Sequence, residues 1–192
     1  MTARRIVLMG APGAGKGTQA ALLVDKLGVP HISTGDMLRA AVAAGTPVGR
    51  RAKAVMDSGQ LVSDEIVIAI AEERLGQADA RSGFILDGFP RTRAQAEALD
   101  ALLGRLGAKL ELCLALTADT ETVVRRLLRR AELEGRSDDS EETIRARMRV
   151  YAEQTAPLLA YYRERGLLAE VSGTGTVDAV AEAVRSALEQ AP

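Results

Sequence analysis

Gly10-Ala11-Pro12-Gly13-Ala14-Gly15-Lys16-Gly17-Thr18 joins an apolar run to a helical pattern, and its reading decides the fold. The run before it, Ile6-Val7-Leu8-Met9, is continuous, carries two β-branched residues and ends at glycine, as a buried strand does. The stretch after it, 18–27, has helical spacing and closes at Gly28. Strand, glycine-rich loop and helix in that order is the context of a phosphate-binding P-loop. Glycines let the backbone curl so that successive N–H groups turn toward phosphate oxygens. The helix N-terminus adds partial positive charge, and Lys16 reaches the β/γ region. Such a loop suits a nucleoside triphosphate. The serine or threonine that usually follows the lysine is displaced by Gly17, and the hydroxyl comes from Thr18 instead.

Outward from this loop, strand-like runs recur at 84–86, 110–116 and 168–171, with helical patterns at 64–77, 93–106, 119–133, 140–165 and 176–190. The alternation predicts an α/β fold, a parallel sheet covered by helices on both faces. Two stretches leave it. Residues 33–61 read as two helices broken by Gly45-Thr46-Pro47, and 132–139 is a polar patch. Both are expected to be excursions from the sheet and candidate moving parts.

Composition narrows the function classes. A chain of 192 residues with 47% apolar content builds one core rather than two linked domains. A net charge of -1 gives no general attraction for nucleic acid or anionic membrane, so any anion site must be local. With 3% aromatic residues there is no platform for stacking single-stranded bases. The basic start is followed by an apolar run too short for a signal core or a membrane span, so a cytoplasmic, monomeric protein is expected. The single cysteine, Cys113, lies in an apolar run and reads as a buried structural thiol.

A second chemical signal is Leu86-Asp87-Gly88-Phe89-Pro90-Arg91, where a strand ends in an aspartate followed by a tight turn. A carboxylate at the carboxyl end of a parallel strand faces the phosphate crevice. Asp87 is therefore placed to hold Mg²⁺ through its water shell, with Thr18 nearby.

GAPGAGKGTQ at 10–19, STGDMLR at 33–39, LDGFPRT at 86–92 with Gln95, and GRSDD at 135–139 together resemble the adenylate kinase family of the bacterial cytosolic kind, over essentially the whole chain. The resemblance implies transfer of the terminal phosphoryl group of ATP to AMP, giving two ADP, with Mg²⁺ accompanying ATP, in adenine nucleotide homeostasis. It assigns Gly13, Ala14, Gly15, Lys16, Gly17 and Thr18 to the ATP phosphates, with Arg126 and Arg130 beside them and Gly175 against the adenine. It assigns Thr34, Arg39, Gln60, Leu61, Val62, Gly88, Phe89, Pro90, Arg91 and Gln95 to AMP, and Arg136 and Arg147 to AMP and the transferring phosphate. By the same analogy, 33–62 is an inserted monophosphate-binding lobe and 129–139 is a short lid. Only five residues separate Arg130 from Arg136, which leaves no room for a small β domain or a zinc-holding cysteine cluster.

These roles make physical sense. Phosphoryl transfer asks for positioning and charge neutralisation, which Lys16, Asp87 with Mg²⁺, and the guanidiniums of Arg91, Arg130, Arg136 and Arg147 supply. His31, the only histidine, is not needed as a base and is read as structural. Arg125, Arg145 and Arg149 are read as solvated helix faces. Two rivals remain. UMP/CMP kinases share the architecture, but Thr34 and Gln95 fit the adenylate pattern, since an amide can pair with both the ring nitrogen and the amine of adenine. A non-catalytic P-loop switch would lack the acceptor segment 33–39 and the lid arginines.

If the short lid is read correctly, elemental analysis of the purified protein finds no stoichiometric zinc, and activity depends on added Mg²⁺ alone. One equivalent of zinc would overturn the reading.

Overall fold

The computed structural model describes residues 4–134 and 140–190. Five strands, β1 (Arg5–Met9), β2 (His31–Ser33), β3 (Phe84–Asp87), β4 (Leu112–Thr117) and β5 (Leu168–Ser172), form one sheet in the order β2-β3-β1-β4-β5. Every pairing is parallel, so each connection must cross a face of the sheet and does so through helices. Those helices are α1 (Lys16–Leu27), α2 (Thr34–Ala43), α3 (Pro47–Asp57), α4 (Asp64–Leu75), α5 (Arg93–Arg105), α6 (Thr120–Glu134), α7 (Glu141–Val150) and α8 (Leu158–Arg163), and α9 (Val177–Glu189) follows the last strand.

The strands alternate cleanly between two cores, as a period of two requires. Val7, Met9, Ile32, Leu86, Cys113 and Ala115 point to the face covered by α4, α5 and α8, where Leu99, Leu103 and Tyr162 pack. Ile6, Leu8, Ile85, Leu112, Leu114 and Leu116 point to the other, against Ala20, Leu23 and Leu27 of α1 and Val180, Val184 and Leu188 of α9. A third cluster, with Ala11, Val123, Leu127 and Ile144, seats α6 and α7 over the glycine-rich loop. The central strands are thus apolar on both sides, which is why they read as unbroken runs.

Helix starts follow the capping rules. Ser33, Thr46, Thr92, Ser140 and Thr176 each accept a backbone N–H from the first turn, and Pro47 sits where its missing N–H costs nothing. Two expectations need correction. β2 is not legible as a strand, because His31-Ile32-Ser33 offers one apolar residue between two polar ones rather than an apolar run. The stretch 140–165, read as one helix, is broken: a π-helical turn, Tyr151–Thr155, follows α7, and α8 starts after Pro157. The extra residue per turn and the ring of Pro157 end the regular ladder there.

The excursion after β2 is the expected helix pair, joined through Gly45-Thr46-Pro47. Its two helices cross closely: a Cβ on Gly49 would lie 2.0 Å from the Ala41 carbonyl oxygen. Gly49→Ala must therefore push α3 off α2. We expect it to lower stability by about 1–3 kcal/mol, the usual cost of overpacking, as a lower urea midpoint, although alanine is the better helix former.

Candidate functional site

β3 and β4 lie on opposite sides of β1, so the loop leaving β1 opens into the crevice at the carboxyl edge of the sheet. Gly10 makes the turn possible: its φ is 142°, and a Cβ there would lie 2.5 Å from the Leu116 carbonyl oxygen. The loop delivers Lys16 to the first turn of α1, behind Gly15 at the N-cap. Lys16 folds back so that Nζ donates to the carbonyls of Gly10 at 2.8 Å and Ala11 at 3.0 Å.

A cavity of about 490 Å³ opens over this loop. Gly13, Ala14, Gly15, Lys16, Gly17 and Thr18 form its floor, Asp87, Gly88 and Arg91 one wall, Arg126, Arg130 and Arg147 another, and Gly175 the rim. Burial pushes the Lys16 ammonium down to about 8, with Asp87 opposing and Arg91, Arg147 and Arg130 reinforcing. At Asp87 burial raises the carboxyl, but His31, Lys16 and Arg91 outweigh it and hold it below the usual carboxylate range. The cavity lining holds two carboxylates, Asp36 and Asp87, against Lys16 and five arginines, Arg39, Arg91, Arg126, Arg130 and Arg147. That arrangement favours a polyanion.

A smaller cavity of about 60 Å³ adjoins it, lined by Thr34, Arg39, Gln60, Leu61, Val62, Gly88, Arg91, Gln95 and Arg147. Thr34 donates its hydroxyl to the Gly88 carbonyl at 2.9 Å. Gln95 is buried, with Oε1 accepting the Arg91 N–H at 2.7 Å and Nε2 donating to Asp64 Oδ1 at 2.8 Å. A third cavity is walled by Pro90, Tyr151 and Thr155, together with Lys16, Arg91 and Arg147. Arg91 and Arg147 border all three cavities. Arg91 is anchored by its Nε on the Gly88 carbonyl at 2.8 Å, and its own carbonyl accepts the Thr155 hydroxyl at 2.9 Å.

The structure therefore gathers most residues singled out in the sequence around two adjoining cavities. Phe89 stands apart: it lines none of the three cavities, and its ring is buried in the core beneath them. Arg136, with the rest of residues 135–139 of the segment 129–139, lies outside the described residues. Arg126 reaches the loop, with its guanidinium 3.5 Å from the Gly13 carbonyl oxygen. Arg145 pairs with Glu141 on an exposed face, in keeping with the role given it.

Sequence reasoning undervalued His31. The pairing of β2 with β3 brings its Nε2 to 3.5 Å from Asp87 Oδ2, on the wall of the larger cavity. It missed Asp64 and Thr155 altogether, since neither belongs to a recognisable motif. A divalent cation would find Asp87 and the Thr18 hydroxyl on this cavity wall. Among the described residues no group of three His, Cys, Asp or Glu side chains could hold a metal unaided. So sparse a set of carboxylates suits an ion that keeps its waters and arrives with phosphates.

Comparison with known proteins agrees with this geometry. A sequence model of the adenylate kinase family matches residues 8–167. The chain is 54% identical over 185 residues to an adenylate kinase of Thermobifida fusca, covering 96% of this chain and 98% of that one. It is 54% identical over 184 residues to an adenylate kinase of Xanthomonas campestris pv. campestris, with 96% and 98% covered.

The depressed Lys16 sets a pH signature. Phosphate oxygens favour the charged ammonium, so a bound polyphosphate raises a pKa that stands at about 8 in the free protein. Inorganic triphosphate should then bind with proton uptake at pH 8.5 and more weakly as pH rises through 8 and beyond. Calorimetry in buffers of different ionisation enthalpy measures the uptake. It should vanish in Lys16→Met.

Proposed function

The chain belongs to the adenylate kinase family, and on that premise we propose that its two adjoining cavities are the donor and acceptor sites of one phosphoryl transfer. The activity is that of the family, an ATP:AMP phosphotransfer yielding two ADP. The larger cavity, over the glycine-rich loop, takes the ATP phosphates, and the smaller takes AMP. The observation that carries this reading is the shared wall: Arg91 and Arg147 border both cavities, where a phosphoryl group would pass between nucleotides.

In this reading Lys16 leaves the Gly10 and Ala11 carbonyls for the β/γ-phosphates. Arg126 and Arg130 flank them, and Gly175 leaves room for the adenine at the rim. Arg91 and Arg147 hold the AMP phosphate in line and neutralise charge developing in transfer, with Arg136 as a further lid contribution. No proton need be removed, because the accepting phosphate oxygen is already ionised. Asp87 and Thr18 are the groups placed to hold the water shell of Mg²⁺ arriving with ATP, which would supply charge neutralisation at the phosphates. His31, beside Asp87 on the wall of the larger cavity, is given no proton-transfer role.

For AMP, Thr34 and Gly88 shape the turn, Arg39 and Arg91 meet the phosphate, and Gln60, Leu61, Val62 and Gln95 surround the base. Phe89 and Pro90 support that wall from the core side. We read 33–62 as the lobe that carries this pocket and 129–139 as the lid, both closing to exclude water from the transfer. No described helix is long and apolar enough to cross a membrane. We read the protein as a cytoplasmic monomer whose partners are ATP, AMP and ADP.

A coupled assay with ATP and each of AMP, GMP, CMP and UMP tests the reading. AMP should be preferred by at least about tenfold, the scale of one good bidentate base contact. A preference for UMP or CMP would move the chain to the pyrimidine kinases, and no transfer to any of the four would sink a catalytic role.

A further inference from the structure

The amide of Gln95 is held between two partners of opposite kind. On one side the Arg91 backbone N–H, which can only donate, meets Oε1 at 2.7 Å. On the other the Asp64 carboxylate, which can only accept, meets Nε2 at 2.8 Å. A carboxamide turned by 180° would set its NH₂ against the Arg91 N–H and its oxygen against the carboxylate, two repulsive contacts in a side chain that is 1% exposed. The orientation is therefore fixed by chemistry. Asp64 is fixed in turn: the Thr92 hydroxyl donates to the same Oδ1 at 3.0 Å while accepting the Gln95 N–H at 3.2 Å, tying the start of α4 to the start of α5.

Each end of the amide retains one further bonding capacity, a second N–H on Nε2 and a second lone pair on Oε1, and Gln95 lines the smaller cavity. We propose that Asp64 is a specificity-determining positioning residue that locks the Gln95 amide in the orientation that accepts a 6-aminopurine and rejects a 6-oxopurine. The inference rests on the reading of the smaller cavity as the acceptor-base pocket. Adenine presents an acceptor at N1 and a donor at its 6-amino group, which suit the remaining N–H and the remaining lone pair. Hypoxanthine presents the reverse, a donor at N1 and an acceptor at O6. An amide free to turn would serve either base equally. Only a pinned one discriminates, and rejection comes from leaving buried polar groups opposed.

The test measures kcat/KM for AMP and for IMP, with equilibrium binding of each, in wild type, Asp64→Asn and Gln95→Leu. Asparagine keeps the shape but offers either an oxygen or an NH₂, so one of the two pins is lost while the Arg91 N–H remains. The AMP:IMP ratio should then narrow by about tenfold, the scale of a charge-assisted hydrogen bond. Part of the change should be a gain on IMP, and it should appear in KM and binding with kcat little altered. Gln95→Leu should remove the preference altogether. If Gln95→Leu abolishes the preference but Asp64→Asn keeps the wild-type ratio, or weakens AMP and IMP in equal proportion, the lock is wrong and base reading by Gln95 stands. If Gln95→Leu itself keeps the wild-type ratio, base reading fails and the lock fails with it. Circular dichroism checks the fold of each variant. Should Asp64→Asn not fold, Asp64→Ser, whose hydroxyl also donates or accepts, carries the same expectations.

Discussion

An ammonium group brought out of water beside three guanidiniums sets the terms for the rest of the molecule. Lys16 has that position because β1 runs between β3 and β4 and its loop must turn back over the sheet edge, at a glycine where no Cβ fits. Two backbone carbonyls and Asp87 make the position tolerable in the free protein. Phosphate oxygens do so better, which converts an electrostatic cost of the fold into selective affinity for polyanions. The apolar cores on both faces of the sheet supply the rigidity that holds these charges together. A softer scaffold would let the cations drift apart into solvent.

What the sequence reveals and hides follows from the range of each interaction. The glycine-rich loop, the caps and the central strands are local, so their patterns lie within a few residues and are readable there. The fold class, the two-helix excursion after β2 and most cavity-lining residues were legible for that reason. β2, with one apolar residue between His31 and Ser33, does not announce itself. With it went the proximity of His31 to Asp87, which exists only because that strand pairs with β3 across more than 50 residues of chain. The break after Val150 is a π turn tied to the rest of the molecule by a tertiary contact, since the hydroxyl of its last residue, Thr155, donates to the Arg91 carbonyl. Phe89, assigned to AMP because it lies within a binding motif, has its ring in the core: a motif does not say which way each of its side chains faces.

Gln95 illustrates a further limit. Its residue type suggests base reading, yet the property that would make it selective is the direction of its amide, set by Asp64 on another helix and by a backbone N–H four residues away. Residue identity alone states that a donor and an acceptor are present. Their order in space is tertiary information.

Cys113 is the only sulfhydryl in the chain, and it sits near the start of β4 with no exposed surface, where burial raises its thiol far above the ordinary range. Maleimide chemistry on the native protein should pass it over. The unmodified sequence is thus already a background for spectroscopic rulers: a pair of cysteines placed on the exposed side of α3 and on α9 can carry fluorophores or spin labels without first removing a native thiol from the sheet. Distance distributions between such labels would report the travel of the helical lobe in solution, nucleotide by nucleotide.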